Sequence, residues 1–383
     1  MRVIYADLHI HIGRSLDGKA VKITASKSLT LPNVIKEARD IKGLSLIGII
    51  DAQTTGVRQD LSTLIDQGEL ISLSGGGYAA KSLVIIPGTE IELKVGEGTA
   101  HFLAYFPALA QLEAYVRYLK PYVKNLQLSS QKAYLPVEAW LKAVERNEGV
   151  WLPAHAFTPH KGIYGNCCRR LAEVMPIHPQ ALEIGLSADR AMARGISELD
   201  EVLLFSNSDA HSLSRIAREY NVLKLCDNSF QGLKNLLDRQ SGRIIANYGF
   251  PPQAGKYFRT FCPHCQRIVQ ENPPQLTCPY CGSRRVVTGV LDRLLSIADR
   301  AVEKSDSQYI YQVPLWQLPG VGPKMYSKLL AVFGTEMAVL HKVPIDQLLE
   351  VAGEKIAQWI YRARHNELDF AAGGGGIYGR IKK

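Results

Sequence analysis

Residues Tyr5–His11 read YADLHIH, and the fold turns on whether these two histidines are core residues or ligands. On a strand, successive side chains alternate between faces, so Asp7, His9 and His11 point the same way. A lone histidine pair says little. A ligand set spread over further strand ends says much more.

Working outward from that stretch, strand-like runs recur along the first 250 residues. They are LSLIGIID (44–51), SLVIIPGTEIEL (82–93), AHFLAYF (100–106), VWLPAHAF (150–157), ALEIGLS (181–187) and VLLFSNSDAH (202–211). Between them lie amphipathic helical stretches such as ALAQLEAYVRYLK (108–120) and PVEAWLKAVERNEG (136–149). About seven short strands with mostly helical connections predict an α/β fold whose parallel sheet closes into a barrel. At or near the strand ends stand His9, His11, Asp51, Glu90, His101, His155, Asp209 and His211. The carboxyl ends of barrel strands meet on one rim, so these residues are expected to converge. Packing does not explain histidine or carboxylate at so many equivalent positions.

Imidazole with carboxylate and no cysteine suits zinc, manganese or iron. Two such ions about 3.5–4 Å apart clamp a phosphate and activate water, so phosphoester hydrolysis is the expected chemistry.

Cysteine marks a second module. Cys262, Cys265, Cys278 and Cys281 form CPHC and CPYC, the spacing of a four-cysteine structural zinc site. A third module centres on LPGVGPK (318–324). There Gly320 and Gly322 permit a tight turn into a helix start whose free amides, with Lys324 beside them, suit a phosphate. A second, degenerate copy, VAGEK (351–355), offers Lys355. Domains are therefore expected at 1–250 (barrel), 256–290 (ribbon) and 291–383 (helical region with a glycine-rich tail).

The chain has 383 residues, 46% of them apolar, and a formal net charge of +9. That charge is unevenly placed, with 28 Lys/Arg against 25 Asp/Glu up to Phe250 and 17 against 11 after it. A basic C-terminal third suits a polyanion such as nucleic acid. No run approaches the ~20 apolar residues of a membrane helix, and no targeting segment is evident, so a cytoplasmic location without membrane contact is expected.

The order His-x-His, strand-end Asp, GTE (88–90), His101, His155 and DAH (209–211) resembles the polymerase and histidinol phosphatase family of phosphoesterases. With the four-cysteine ribbon, the Gly320–Gly322 turn and the tail Gly373–Gly379, nearly the whole chain resembles the endonuclease Q family. The resemblance implies a distorted (β/α)7 barrel with a C-terminal zinc ribbon and a helix-hairpin-helix region. It also implies metal ligation by His9, His11, Glu90 and Asp209, with Glu90 bridging to an ion on His101 and His155. A third ion would need His211 and partners. The family's Asp-His is Asp51-Ala52 here, leaving Asp17 as a candidate ligand and a third ion weak or absent. Asp209, Glu90 and His155 would be catalytic, with zinc in the ribbon and zinc, magnesium or manganese in the barrel.

The implied activity is a DNA repair endonuclease that cuts 5′ to uracil, hypoxanthine, xanthine or an abasic site. Gly76, Gly77 and Tyr78 are expected to line a lesion pocket through their amides and an aromatic wedge. Gly320, Gly322, Lys324 and Lys355 would grip the DNA backbone. No sliding-clamp peptide is evident. Two alternatives stay open, a small-molecule phosphatase of the histidinol phosphatase type and a non-catalytic DNA-binding protein.

Overall fold

The computed structural model describes residues 1–303, 305–371 and 378–382. Strand β1 (Arg2–Ile10) lies at the centre of the largest sheet. It pairs in parallel with β2 (Leu46–Ile49), which pairs in parallel with β3 (Leu83–Val95). The next strand, β4 (Gly98–Tyr105), is antiparallel to β3 and to β5 (Val150–Pro153). Strands β6 (Ala181–Glu183) and β7 (Leu203–Phe205) are parallel to each other.

The ring closes at the strand ends. Ala156 N donates to Glu183 O at 2.7 Å, joining β5 to β6. His11 N donates to Ala210 O, and Ala210 N to His9 O, each at 3.2 Å, joining β7 back to β1. The reversed β4 is the main departure from the all-parallel expectation, and its cause is local. Val95 pairs with Gly98 across a two-residue turn, so no helix separates β3 from β4.

One apolar cluster draws Leu8, Leu46, Ile86, Leu103, Leu152, Ala181 and Phe205, one from each strand of the ring, and fills its interior. A second packs the outer faces of the strands against helices, burying Trp140, Tyr115 and Leu61. Gly88 shows how tight the ring is. A Cβ there would lie 2.8 Å from the Tyr105 ring and 2.9 Å from the Ala104 carbonyl.

Beyond the ring, β8 (Tyr220–Leu225) and β9 (Arg243–Gly249) extend the sheet from the amino-terminal half of β1. The Cys262 and Cys265 knuckle lies on a small hairpin, Phe261–Cys262 with Arg267–Ile268. Tyr309–Tyr311 then adds a parallel strand to β9. A third core, including Leu318, Val321, Leu329, Leu348 and Ile356, unites four helices, Pro323–Phe333, Glu336–His341, Ile345–Ala352 and Glu354–Arg364. The Gly373–Ile377 part of the tail lies outside the described residues. Among those described, no helix is long and apolar enough to cross a membrane.

Candidate metal centre

The strand ends bring His9, His11, Glu90, His101, His155, Asp209 and His211 to one mouth of the ring. Each of the two β1 histidines is held from behind by a carboxylate. His9 Nδ1 donates to Glu183 Oε2 at 2.8 Å, and His11 Nδ1 to Asp51 at 3.0 and 3.1 Å. These bonds place the protons on Nδ1 and turn both Nε2 lone pairs towards Glu90 and Asp209, the usual arrangement behind a metal-ligating imidazole. His9 Nε2 lies 3.4 Å and His11 Nε2 3.3 Å from Asp209 Oδ1. Both Nε2 atoms are buried and have no hydrogen-bond partner. Buried polar atoms are seldom orphaned in a finished structure, so this donor set fits a cation.

Glu90 is the hinge between two groupings. Its Oε1 lies 2.9 Å from His101 Nδ1, 3.5 Å from His155 Nε2 and 3.5 Å from His9 Nε2. Burial alone would push this carboxyl up, but His101 and Lys22 outweigh it and hold it well below the usual range. The same contest leaves Asp209 well below its ordinary value through His11, His9 and His211. His155 (φ +30°) and Asp209 (φ +46°) both occupy the left-handed region. Such backbone costs about 1–3 kcal/mol per residue and concentrates where a side chain must be aimed.

A cleft of about 670 Å³ opens over the cluster, lined also by Lys22, Arg215, Arg218, Lys256 and Tyr257. That volume lies within the range of small-molecule binding clefts. Asp7, sharing a strand with His9, supports the Asp209 loop by accepting from Ser208 N at 3.1 Å and Ala217 N at 3.0 Å.

Two expectations are corrected. Asp17 stays out of the cluster, because Lys19 Nζ at 2.6 Å and Ser15 Oγ at 2.5 Å hold its exposed carboxylate. Gly76, Gly77 and Tyr78 share no lining residue with the cleft. Their loop is committed elsewhere: Gly77 N donates to Pro107 O at 2.7 Å, and the Tyr78 hydroxyl accepts from Leu109 N at 2.6 Å. The Tyr78 ring is buried and cannot act as a wedge.

Several participants escaped the sequence reading. Glu183 stands at the end of ALEIG and obeys the strand-end rule, so it was findable. Lys22, Ser129 and Ser130 lie on loops with no motif to mark them.

The four cysteine sulfurs lie within 4.8 Å of one another, with Cys262 to Cys281 at 3.7 Å and Cys265 to Cys278 at 3.6 Å. Tetrahedral zinc with bonds of ~2.3 Å separates its sulfurs by about 3.8 Å, so the cradle fits that ion. In the helical region Gly320 has φ +89°, and a Cβ there would press on Ile356 at 3.2 Å. Gly322 caps the Pro323–Phe333 helix, Gly353 joins the last two helices, and Lys324 and Lys355 are exposed.

No protein-family model matches the chain. The uncharacterized protein YqxK of Bacillus subtilis (strain 168) is 42% identical over 388 residues, covering all of both chains. The uncharacterized protein MJ0043 of Methanocaldococcus jannaschii is 30% identical over 286 residues, 69% of this chain and 34% of that one. Among solved structures, the lesion-specific endonuclease PfuEndoQ of Pyrococcus furiosus superposes with a TM-score of 0.83 at 29% identity, over 100% of this chain and 95% of that one. Endonuclease Q bound to a 27-mer duplex with an abasic lesion at the active site gives 0.83 at 28% identity, over 100% and 96%. With a likeness that runs through barrel, ribbon and helical region alike, the chain belongs to the endonuclease Q family.

Proposed function

We propose that this chain is a metal-dependent DNA repair endonuclease that hydrolyses the phosphodiester 5′ to a deaminated base (uracil, hypoxanthine or xanthine) or an abasic site. The observation that carries the reading is the pair of buried, unpartnered imidazole nitrogens facing Glu90 and Asp209 beneath the cleft. The full-length likeness to an endonuclease Q seen on an abasic-site duplex supports it.

His9, His11, Glu90 and Asp209 would hold one ion, and Glu90, His101 and His155 a second; zinc fits both, with manganese or magnesium as alternatives. Bound there, such ions supply ionised water at neutral pH and neutralise phosphate charge. Asp51 and Glu183 keep the β1 imidazoles aimed. Arg215, Arg218 and Lys256 present positive charge along the cleft wall, where a DNA strand would lay its phosphates. Zinc in the cysteine cradle is structural, and the exposed Lys324 and Lys355 grip the duplex backbone without reading sequence. Deamination turns an exocyclic donor into an acceptor and, in uracil and hypoxanthine, the adjacent ring nitrogen from acceptor into donor, so a flipped damaged base presents an inverted hydrogen-bonding edge.

The test uses end-labelled duplexes carrying one uracil, one hypoxanthine, one abasic site or no lesion, with wild type and Asp209→Ala. Wild type should make a single cut 5′ to each lesion, leaving a 3′-hydroxyl and a 5′-phosphate, and the variant none. Equal cutting of the intact duplex, or an active Asp209→Ala, overturns the reading.

A further inference from the structure

Ligand atoms, rather than residues, limit how many ions the barrel mouth can hold. Three sets bring their atoms within 4.8 Å: His9, His11 and Glu90; His11, Asp209 and His211; Glu90, His101 and His155. The first two both require His11. Its Nδ1 is committed to Asp51, so a single nitrogen remains for both. Asp51 cannot help, because it also accepts from Ile12 N at 2.7 Å and from Ser129 Oγ. Position 52 is a fully buried alanine, and Asp17 is turned to Lys19. Among the described residues, nothing on this side completes another coordination sphere.

What lies there is an ammonium group. Lys22 Nζ donates to Glu90 Oε2 at 3.1 Å and to Ser130 Oγ, and its side chain is only 13% exposed. Ser130, which also donates to Glu90 Oε2, sits in left-handed backbone at φ +51°. Glu90 thereby has Oε1 facing His9, His101 and His155, while Oε2 faces Lys22 at 3.1 Å and, farther off, His11 Nε2 at 3.7 Å. An ammonium carries three protons. Two are engaged here, and the third is available to the cleft that Lys22 lines.

We propose that Lys22 is the third cation of the centre, a fixed charge in place of an ion, which braces Glu90 and holds a non-bridging oxygen of the scissile phosphate. The proposal rests on the reading of this site as a phosphodiesterase. A lysine in this place cannot be chelated and activates no water. Its work is to neutralise phosphate and to keep Glu90 turned to the imidazoles.

The experiment takes the full-length, zinc-loaded protein as wild type, Lys22→Met and Lys22→Arg. It measures zinc per chain by elemental analysis, inorganic phosphate affinity by calorimetric titration, and single-turnover cleavage of an abasic-site duplex. All three proteins should hold three zinc ions, two in the barrel and one in the ribbon. Lys22→Met should bind phosphate at least tenfold more weakly and cleave on the order of 10²-fold more slowly, the loss typical of removing one preorganised charge. Lys22→Arg should stay within a few-fold of wild type in phosphate affinity, and it carries the test if Lys22→Met fails to fold. Wild-type phosphate affinity in Lys22→Met overturns the proposal. So does loss of barrel zinc from that variant, or a fourth zinc in wild type. If wild type cuts no lesioned duplex, the functional reading falls, while the zinc count and the phosphate titration still decide Lys22.

Discussion

Charge is buried in two regions of this molecule, and they differ in completeness. At the seam between the barrel and the C-terminal helices, Lys42 Nζ meets Glu336 Oε2 at 2.6 Å, with both side chains 1% exposed. Glu336 also accepts from Leu315 N at 2.7 Å and from the Tyr326 hydroxyl at 2.9 Å. One cation meets one anion, and the anion is fully hydrogen-bonded. At the barrel mouth, Glu90, Asp209, Asp51 and Glu183 crowd around histidines, two of which keep an unpartnered buried nitrogen. The seam's ion pair is complete as protein; the mouth leaves donor atoms that fit cations. Buried polarity alone does not mark a functional site. Nor does a single unpartnered atom, since Gln312 Nε2 and Glu219 Oε2 are also buried without one; the mouth differs in having two orphaned imidazole nitrogens that face carboxylates beneath a cleft.

Breaking the seam should therefore cost folding and leave the ions alone. Lys42→Met strands Glu336 without its partner, a change worth about 3–5 kcal/mol of stability. Barrel zinc and cleavage per folded molecule should stay at wild-type levels. Asp209→Ala should behave in the opposite way, with the ion on His9 and His11 and all cleavage lost, the ion on His101 and His155 kept, and little change in the midpoint of metal-free unfolding. Denaturant unfolding with elemental analysis checks both variants. Loss of barrel ions from folded Lys42→Met would erase the distinction.

A second, smaller effect at the same seam is tied to pH. His341 stacks on Tyr5 at a centroid distance of 5.1 Å and bonds through Nε2 to the Tyr220 hydroxyl at 2.6 Å. Burial first, then Arg364 and Lys342, push its pKa down to about 4. An unfolded histidine titrates near 6.5, so between about pH 6.5 and 4 the unfolded chain takes up a proton that the folded chain refuses. The contribution is complete above pH 6.5 and fades as pH falls towards 4, by up to about 3 kcal/mol. His341→Phe should lose less stability than wild type across that window. Identical slopes would show that His341 does not report on the docked helices.

Much of this division was visible in the sequence, and the part that was not has physical reasons. The convergence of the candidate ligands was legible because a barrel puts every strand end on one rim, so position along a strand stands in for position in space. The cysteines were legible because two knuckles fix their own geometry. Asp17 misled because six residues from His11 along a loop is no measure of distance, and a nearby lysine claimed its charge. Gly75–Tyr78 misled because a glycine-rich loop reads the same whether it holds a ligand or a neighbour. Here Phe230 N and Gln231 N take the carbonyls of Gly76 and Gly75. Lys22 was silent because its meaning lies in Glu90, 68 residues away, and in the absence of a ligand at Ala52. The reversal of β4 could have been read from the glycines of VGEG (95–98), which mark a hairpin rather than a helical crossover.

The smallest expected effect belongs to a third arrangement, the exposed charges of the helical region, which are neither paired like the seam nor clustered like the mouth. Lys324 opens the helix after the Gly320 turn, and Lys355 opens the helix after Gly353, both in solvent. Exposed lysines add little to folding, so Lys324→Ala and Lys355→Ala should leave stability within about 0.5 kcal/mol. Their value lies in phosphate neutralisation, and removing either ammonium should flatten the salt dependence of duplex binding by about 0.9 in the log-log slope. Affinity should fall equally for lesioned and intact duplexes, because a lysine on a backbone phosphate carries no information about the base. Binding isotherms at several salt concentrations measure both quantities. A weakening confined to lesioned DNA would place these lysines in damage recognition and move part of the selectivity out of the barrel mouth. An unchanged slope would mean that the hairpin turns only pack helices together.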